Sequence, residues 1–174
     1  VARENGIGLL LAGDGGDEIF AGNERYVEQR RYDAWQRIPS PLRSLLIRPL
    51  LKVAATAGGN SVFARAGAYA DRASTPLPDR LQAYNLMATT ALGTLFHPDF
   101  LAALDIDGPL QLVREIYNRP SDATELKRMH FLDLHITLAD NDLRKVNRAC
   151  ELAGVRVAYP MLDEDLVTFA AGIP

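Results

Sequence analysis

Three glycines and three acids fall in the six residues Gly13-Asp14-Gly15-Gly16-Asp17-Glu18. An apolar run, Ile7 to Leu11, leads into them, and a polar and aromatic run from Ile19 to Trp35 leads out. Apolar run, glycine-rich turn and helix is the order of a strand feeding an anion-binding loop. Glycines at 13, 15 and 16 remove side chains that would keep a ligand off the backbone. Free N–H groups at the start of the next helix favour negative charge there. Acids in the same loop point to a divalent cation, held by oxygens, between loop and phosphate. A plainer reading also fits these residues: a tight turn with Asp17 as N-cap and Glu18 in the first helical turn. The spacing is not the dinucleotide fingerprint, lacks the Lys-Ser/Thr ending of a Walker loop, and lacks the alternating acids of an EF-hand.

The other properties of the chain narrow its class. Its 174 residues suit one domain or a piece of one. A net charge of -3, with Lys and Arg scattered, gives no nucleic-acid footprint. The single cysteine, Cys150, excludes an internal disulfide and a cysteine metal cluster and fits a reducing, cytoplasmic setting. No apolar run reaches the length of a membrane span. Val1 to Gly6 reads as the tail of a helix, and Ile173-Pro174 follows another. The whole of 1–174 is therefore expected to be part of a domain truncated at both ends, with an upstream segment missing.

Ile7 to Leu11 is apolar on both faces, as a buried central strand would be. Asp17 to Arg37 reads as a helix or a broken pair of helices. Ser40 is a good N-cap and Pro41 a good first residue for the next helix, whose Leu42, Leu45, Leu46, Leu50 and Val53 keep helical spacing, with a kink at Pro49. Gly58-Gly59-Asn60 reads as a break. Further helices are expected over Val62 to Arg72, around Leu81, Tyr84, Asn85 and Ala88, after His97-Pro98-Asp99, and over Leu110 to Tyr117. Asp122-Ala123-Thr124-Glu125 is a capping-box variant before a helix, Leu126 to Leu138, that is apolar nearly all round. Asp142 to Ala153 is the next helix, closed by Gly154. Val155 to Tyr159 is extended, and a terminal helix runs from Asp163 to Ala171. The sum is mainly helical with one or two strands.

Two blocks carry a resemblance. Leu10 to Tyr26, LLAGDGGDEIFAGNERY, resembles the Ser-Gly-Asp/Glu-Gly-x-Asp-Glu-Leu-Phe-x-Gly-Tyr-x-Arg-Tyr stretch of the asparagine synthetase family. Asp142 to Arg148 and Pro160 to Ala170 resemble that family's Lys-x-Asp/Asn-Arg/Lys block and its Pro-Phe-Leu-Asp-x-x-Leu-Val segment, in the same order and separation. The middle, roughly 39–120, matches only in being helical.

The resemblance implies an α/β fold with a parallel sheet, of the ATP-pyrophosphatase (adenine nucleotide alpha hydrolase-like) type, of which this chain is the C-terminal part. It implies a ligase that adenylates a carboxylate with ATP and Mg2+, then lets ammonia or an amine attack. Its expected partners are aspartate or an analogue, ammonia from a glutaminase domain, and a second copy in a homodimer. Asp14 matches the acid of the catalytic loop and is the candidate general base. Asp17 matches the magnesium-associated aspartate, and Lys145 the lysine that stabilises the adenylation transition state. Gly13, Gly15 and Gly16 let the backbone approach the ligand, and Arg148 is a further candidate for the phosphate site. Without the resemblance, Lys145 reads as a surface lysine paired with Asp142 at i,i+3.

The departures matter too. Ala12 stands where serine is common in the family. Arg156-Val157-Ala158 replaces a Glu-x-Arg, which puts the usual aspartate substrate in doubt. The family's Ser-Gly-Gly-x-Asp-Ser pyrophosphate loop and glutaminase cysteine, both upstream in the family, are not in this sequence, so residues 1–174 alone are expected to be inactive. Two other readings stay open: a paralogue that amidates a sugar or secondary-metabolite carboxylate, and a degenerate helical binding or scaffold module.

Overall fold

The computed structural model describes residues 1–58, 61–82 and 90–173; at 55–58 and 61 it describes the backbone alone. The described residues fall into two compact units, 1–26 with 115–174, and 27–114. They are mostly helical, with one two-stranded sheet.

In the first unit, β1 (Leu9–Leu11) pairs in parallel with β2 (Arg156–Ala158), Leu10 opposite Val157. A parallel pair needs a long crossover, and here it is the whole intervening chain. The expected strand is present, but it is not buried: Leu9, Leu10 and Leu11 are 45%, 37% and 71% exposed. With one neighbour among the described residues, β1 keeps an open edge.

The stretch after the glycine loop is two helices, Gly16–Phe20 and Glu24–Gln36. Ala21 turns left-handed, at φ 57°, which ends the first helix. A Cβ on Gly22 would run into the Asp17 carboxylate, so the turn depends on glycine there. The cap of the first helix is Gly15, with no side-chain cap bond, so Asp17 lies inside the helix and not at its N-cap.

Residues 125–153 form one continuous helical rod where two helices were expected. Glu125–Leu132 and Leu143–Ala153 are α-helical, and Asp133–Asp142 between them is a π-helix. Such wide turns are uncommon and recur at functional sites. The N-cap is Thr124, whose hydroxyl accepts from the Lys127 N–H, and not Asp122. Arg128 explains the shift: it donates to the Ser121 and Ala123 carbonyls and so holds the entering chain extended. Met129, Leu132 and Leu138 are buried and His135 is exposed, so the rod is buried along one side only. Gly154, left-handed at φ 66°, closes it as expected. Asp163 caps Glu164–Ala171 through the Asp165 and Leu166 N–H groups.

In the second unit, Tyr32 and Trp35 pack against Ala70 and Ala73, with Ile38, Ile47 and Leu51 around them. The two alanines let helix Ser61–Ser74 approach the aromatic rings closely. Trp35 Nε1 donates to Ser74 Oγ at 3.1 Å, as a buried indole requires. Arg80 is buried, donating to the Thr75 carbonyl and to Gln29 Oε1, with its guanidinium 4.9 Å from the Tyr32 ring centroid.

Ser40–Leu42 starts one residue earlier than expected, with Pro39 at the cap. The helix passes Pro49 by widening into a π segment, Arg43–Ile47, before Arg48–Gly58. Proline lacks the N–H that would bond to Leu45 and crowds that carbonyl, so the irregularity falls on Leu45's turn. Leu42, Leu46, Leu50 and Val53 keep their helical spacing but are exposed. Gly59, Asn60 and the helix expected around Tyr84, Asn85 and Ala88 lie outside the described residues.

Candidate functional site

Parallel strands end on the same side, and ligands of open α/β sheets bind outside those carboxyl ends. From β1 the chain enters the loop at Ala12, whose N–H still bonds to the Ala158 carbonyl at 2.9 Å. From β2 it reaches Tyr159 and then the single turn Pro160–Leu162. The glycine loop and Tyr159 therefore leave the sheet together.

A cleft of about 550 Å³ opens at this end. Its walls are the run Gly13 to Glu18, Met161 after β2, and Leu138 and Asp142 from the π segment. Asp14 is half-buried and Asp17 exposed, and neither carboxylate has a side-chain hydrogen bond or ion pair among the described residues. Gly15 sits at φ 95°, and a Cβ there would collide with the Leu162 side chain. A Cβ on Gly13 would meet nothing within 4 Å, so that backbone faces open space. Gly16 has only Met161 in ordinary contact. The three expected glycines thus differ: Gly15 serves packing inside the protein, while Gly13 leaves a path to the loop.

Lys145 Nζ lies 2.8 Å from Asp142 Oδ1, one turn back. The pairing read from the spacing is present, and its acid belongs to the cleft wall. Lys145 is not itself among the cleft-lining residues and joins that wall through Asp142. Arg148 lies one turn further on, exposed, paired with Glu151 at 2.6 Å, and away from the cleft lining.

Tyr159 was not singled out in the sequence. Its hydroxyl donates to Asn147 Oδ1 at 3.1 Å, tying the end of β2 to the helix that carries Lys145. Desolvation, and then the negative charge of Asp14, raise its pKa.

A buried network stands behind the cleft. Asp133, 3% exposed at its side chain, accepts from the Tyr26 hydroxyl, pairs with Arg25, and receives Thr137 Oγ1 at 3.2 Å. Burial, then the Asp133 bond, push the Tyr26 phenol well above its ordinary range. His130 packs edge-on against Tyr26, ring centroids 4.7 Å apart, and burial lowers its pKa. The sequence offered one signal for this network: Asp133 is a lone acid inside an apolar helical run. A carboxylate there needs partners, and the matching arginine and tyrosine lie in the first block.

The sequence model of asparagine synthase matches residues 1–174, the whole chain. The chain belongs to the asparagine synthase family. It is also 23% identical, over 170 residues, to asparagine synthetase [glutamine-hydrolyzing] 1 of Bacillus subtilis (strain 168). That match covers 95% of this chain and 25% of the relative, so the chain spans about a quarter of the relative's length. No solved structure matches the chain. A mostly helical chain with one parallel strand pair is consistent with a portion of the α/β asparagine synthase domain. Among the described residues of this asparagine synthase family member, no helix is long and apolar enough to cross a membrane.

Proposed function

We propose that these residues form one wall of the synthetase site of a cytoplasmic, ATP-dependent, amide-forming ligase. In the reaction a carboxylate oxygen attacks the α-phosphorus of ATP, and the bond to pyrophosphate breaks. Ammonia then attacks the acyl carbon, AMP leaves, and the nitrogen gives up a proton. The observation that carries this reading is the shared cleft: the acid-bearing loop lies opposite Asp142, and Asp142 is bonded to Lys145.

Each residue has a stated task. Lys145 stabilises negative charge that grows on phosphate oxygens during adenylation, and Asp142 holds its ammonium at the edge of the cleft. Asp14 takes the proton from the attacking nitrogen. Gly13 gives the nucleotide access to the backbone. Arg148 is left a distant, electrostatic part in the phosphate site.

Among the described residues no three acids, histidines or cysteines cluster as a metal cage. Two carboxylates without side-chain partners in one cleft still fit Mg2+, which uses one or two protein oxygens and completes its shell with phosphate and water. Asp17 would hold it with Asp14 nearby, and when bound it offsets charge on the phosphates.

The acid acceptor is aspartate or another carboxylate. Arg156, where the family pattern has an acid, is exposed on β2 and favours an acceptor other than aspartate. Ammonia would come from a glutaminase domain. ATP–pyrophosphate exchange by the full-length protein, with a panel of carboxylates, tests the reading. Exchange that is lost in both Asp14→Asn and Lys145→Ala supports it. Exchange retained in both would remove the site assignment, and no exchange with any acid would favour a binding module.

A further inference from the structure

A second cavity, of about 580 Å³, lies on the other side of helix Gly16–Phe20 and is walled mainly by apolar groups. Glu18 and Phe20 border both it and the cleft. Its far wall is a helical stripe, Lys127, His130, Phe131 and Leu134, spaced i, i+3, i+4, i+7 so that all four share one face. Val167 and Ala171 of the terminal helix close the opposite side.

Two polar groups stand out in this lining. His130 Nε2 is buried and has no hydrogen-bond partner among the described residues. Leaving such an atom unpaired is costly, so native proteins seldom do it without a reason. Burial disfavours the charged ring, and a neutral imidazole offers one donor and one acceptor nitrogen. Lys127 is the second group. Its Nζ spends one of three donors on the Ala171 carbonyl, at 3.1 Å, and keeps two. Lys127 and His130 stand one turn apart on the same face of this wall.

A cavity of this size with a few convergent polar groups is the usual form of a small-molecule site. We propose that it is a second ligand site, for a small molecule with an apolar body and one anionic head, such as a medium-chain carboxylate. The head lies between Lys127 and His130, and the body lies against Phe131, Leu134 and Val167. Glu18 repels a second negative charge at the other end, so a monoanion is selected over a dianion.

The test is binding, without turnover, and so is separate from the proposed reaction. Decanoate is titrated into the full-length protein by calorimetry, with decan-1-ol and sebacate as comparison probes. The expected result is saturable one-to-one binding of decanoate, weaker by tenfold or more for both comparison probes. Lys127→Glu and His130→Phe should each weaken decanoate by about tenfold, with unchanged far-ultraviolet circular dichroism. Ala123→Trp, at the pocket wall, should abolish binding by filling the space. Absence of saturable binding by the folded wild-type protein would mean that the cavity is covered or filled by protein, and would overturn the proposal. So would wild-type affinity in both Lys127→Glu and Ala123→Trp, which lie at exposed and half-buried positions.

Discussion

Tyr26 donates its phenolic hydrogen to Asp133 Oδ2 across 107 positions of sequence, with Arg25 on the same carboxylate. The bond joins the chain just beyond the glycine loop to the first turn of the π segment, four residues before the Thr137 that also holds Asp133. Leu138 and Asp142, further along that segment, line the cleft. Asp133 therefore fixes one cleft wall against the other.

Removing that carboxylate should be expensive. Asp133→Ala leaves a partly buried guanidinium and a buried hydroxyl without their partner, and should destabilise the fold by about 3 kcal/mol. Tyr26→Phe alone should cost about 1 kcal/mol. Urea denaturation of the two single variants and the double variant would show coupling above about 0.5 kcal/mol. Strict additivity would mean that the two groups do not interact in solution.

His130 sets a pH dependence. Burial depresses its folded pKa below the ordinary histidine value of 6.5, so the unfolded chain takes up the proton first as the solution is acidified. Its contribution to stability is complete above pH 6.5 and is lost as the pH falls from there through the lowered folded value. Thermal melts between pH 8 and pH 5 should show this decline, and His130→Phe should flatten it. A slope unchanged in His130→Phe would assign it to other groups.

The Lys145–Asp142 pair separates stability from activity. Lys145 is exposed and Asp142 half-buried, at 64% and 34%, so breaking the pair with Lys145→Ala should change stability by less than about 1 kcal/mol. On the proposed role, loss of the Lys145 charge should lower exchange by about 100-fold or more. Melting temperature and exchange rate measured on the same sample make the comparison, and equal losses in both would contradict the assigned role.

Gly15 and Gly13 should respond differently to alanine. At Gly15 the added Cβ meets Leu162 and an unfavourable φ together, which should cost about 1–3 kcal/mol. Leu162→Ala should relieve the steric part but not the backbone part. Gly13→Ala has open space and should leave stability nearly unchanged while weakening nucleotide binding. Equal destabilisation at the two positions would refute the distinction.

Much of this arrangement could be read from the residues. Gly154 and Asp163 announced a helix end and a helix start because capping is local chemistry, settled within three or four residues. The strand at Leu9–Leu11 was legible from composition, but its exposure was not, because burial depends on what the fold stacks on it. The π segment escaped notice for a related reason. Nothing in Asp133–Asp142 breaks a helix; the wider turns accompany long-range ties such as Tyr26 to Asp133. The Lys145–Asp142 pair was legible from helical spacing, while Lys145 was singled out only through the family resemblance. Tyr159 and Asn147, and the orphaned nitrogen of His130, came only from the assembled fold, since each is defined by a neighbour distant in sequence or by the lack of one.

The pairing of Leu9 with Arg156 sets a schedule for biosynthesis. The two residues are 156 − 9 = 147 positions apart, so the first strand leaves the ribosome long before its hydrogen-bonding neighbour exists. At about 5–20 residues per second, three consecutive leucines are made roughly 7–30 s before the strand they pair with. Nascent chains of this protein should therefore be clients of ribosome-associated chaperones until the last fifth of the sequence has emerged.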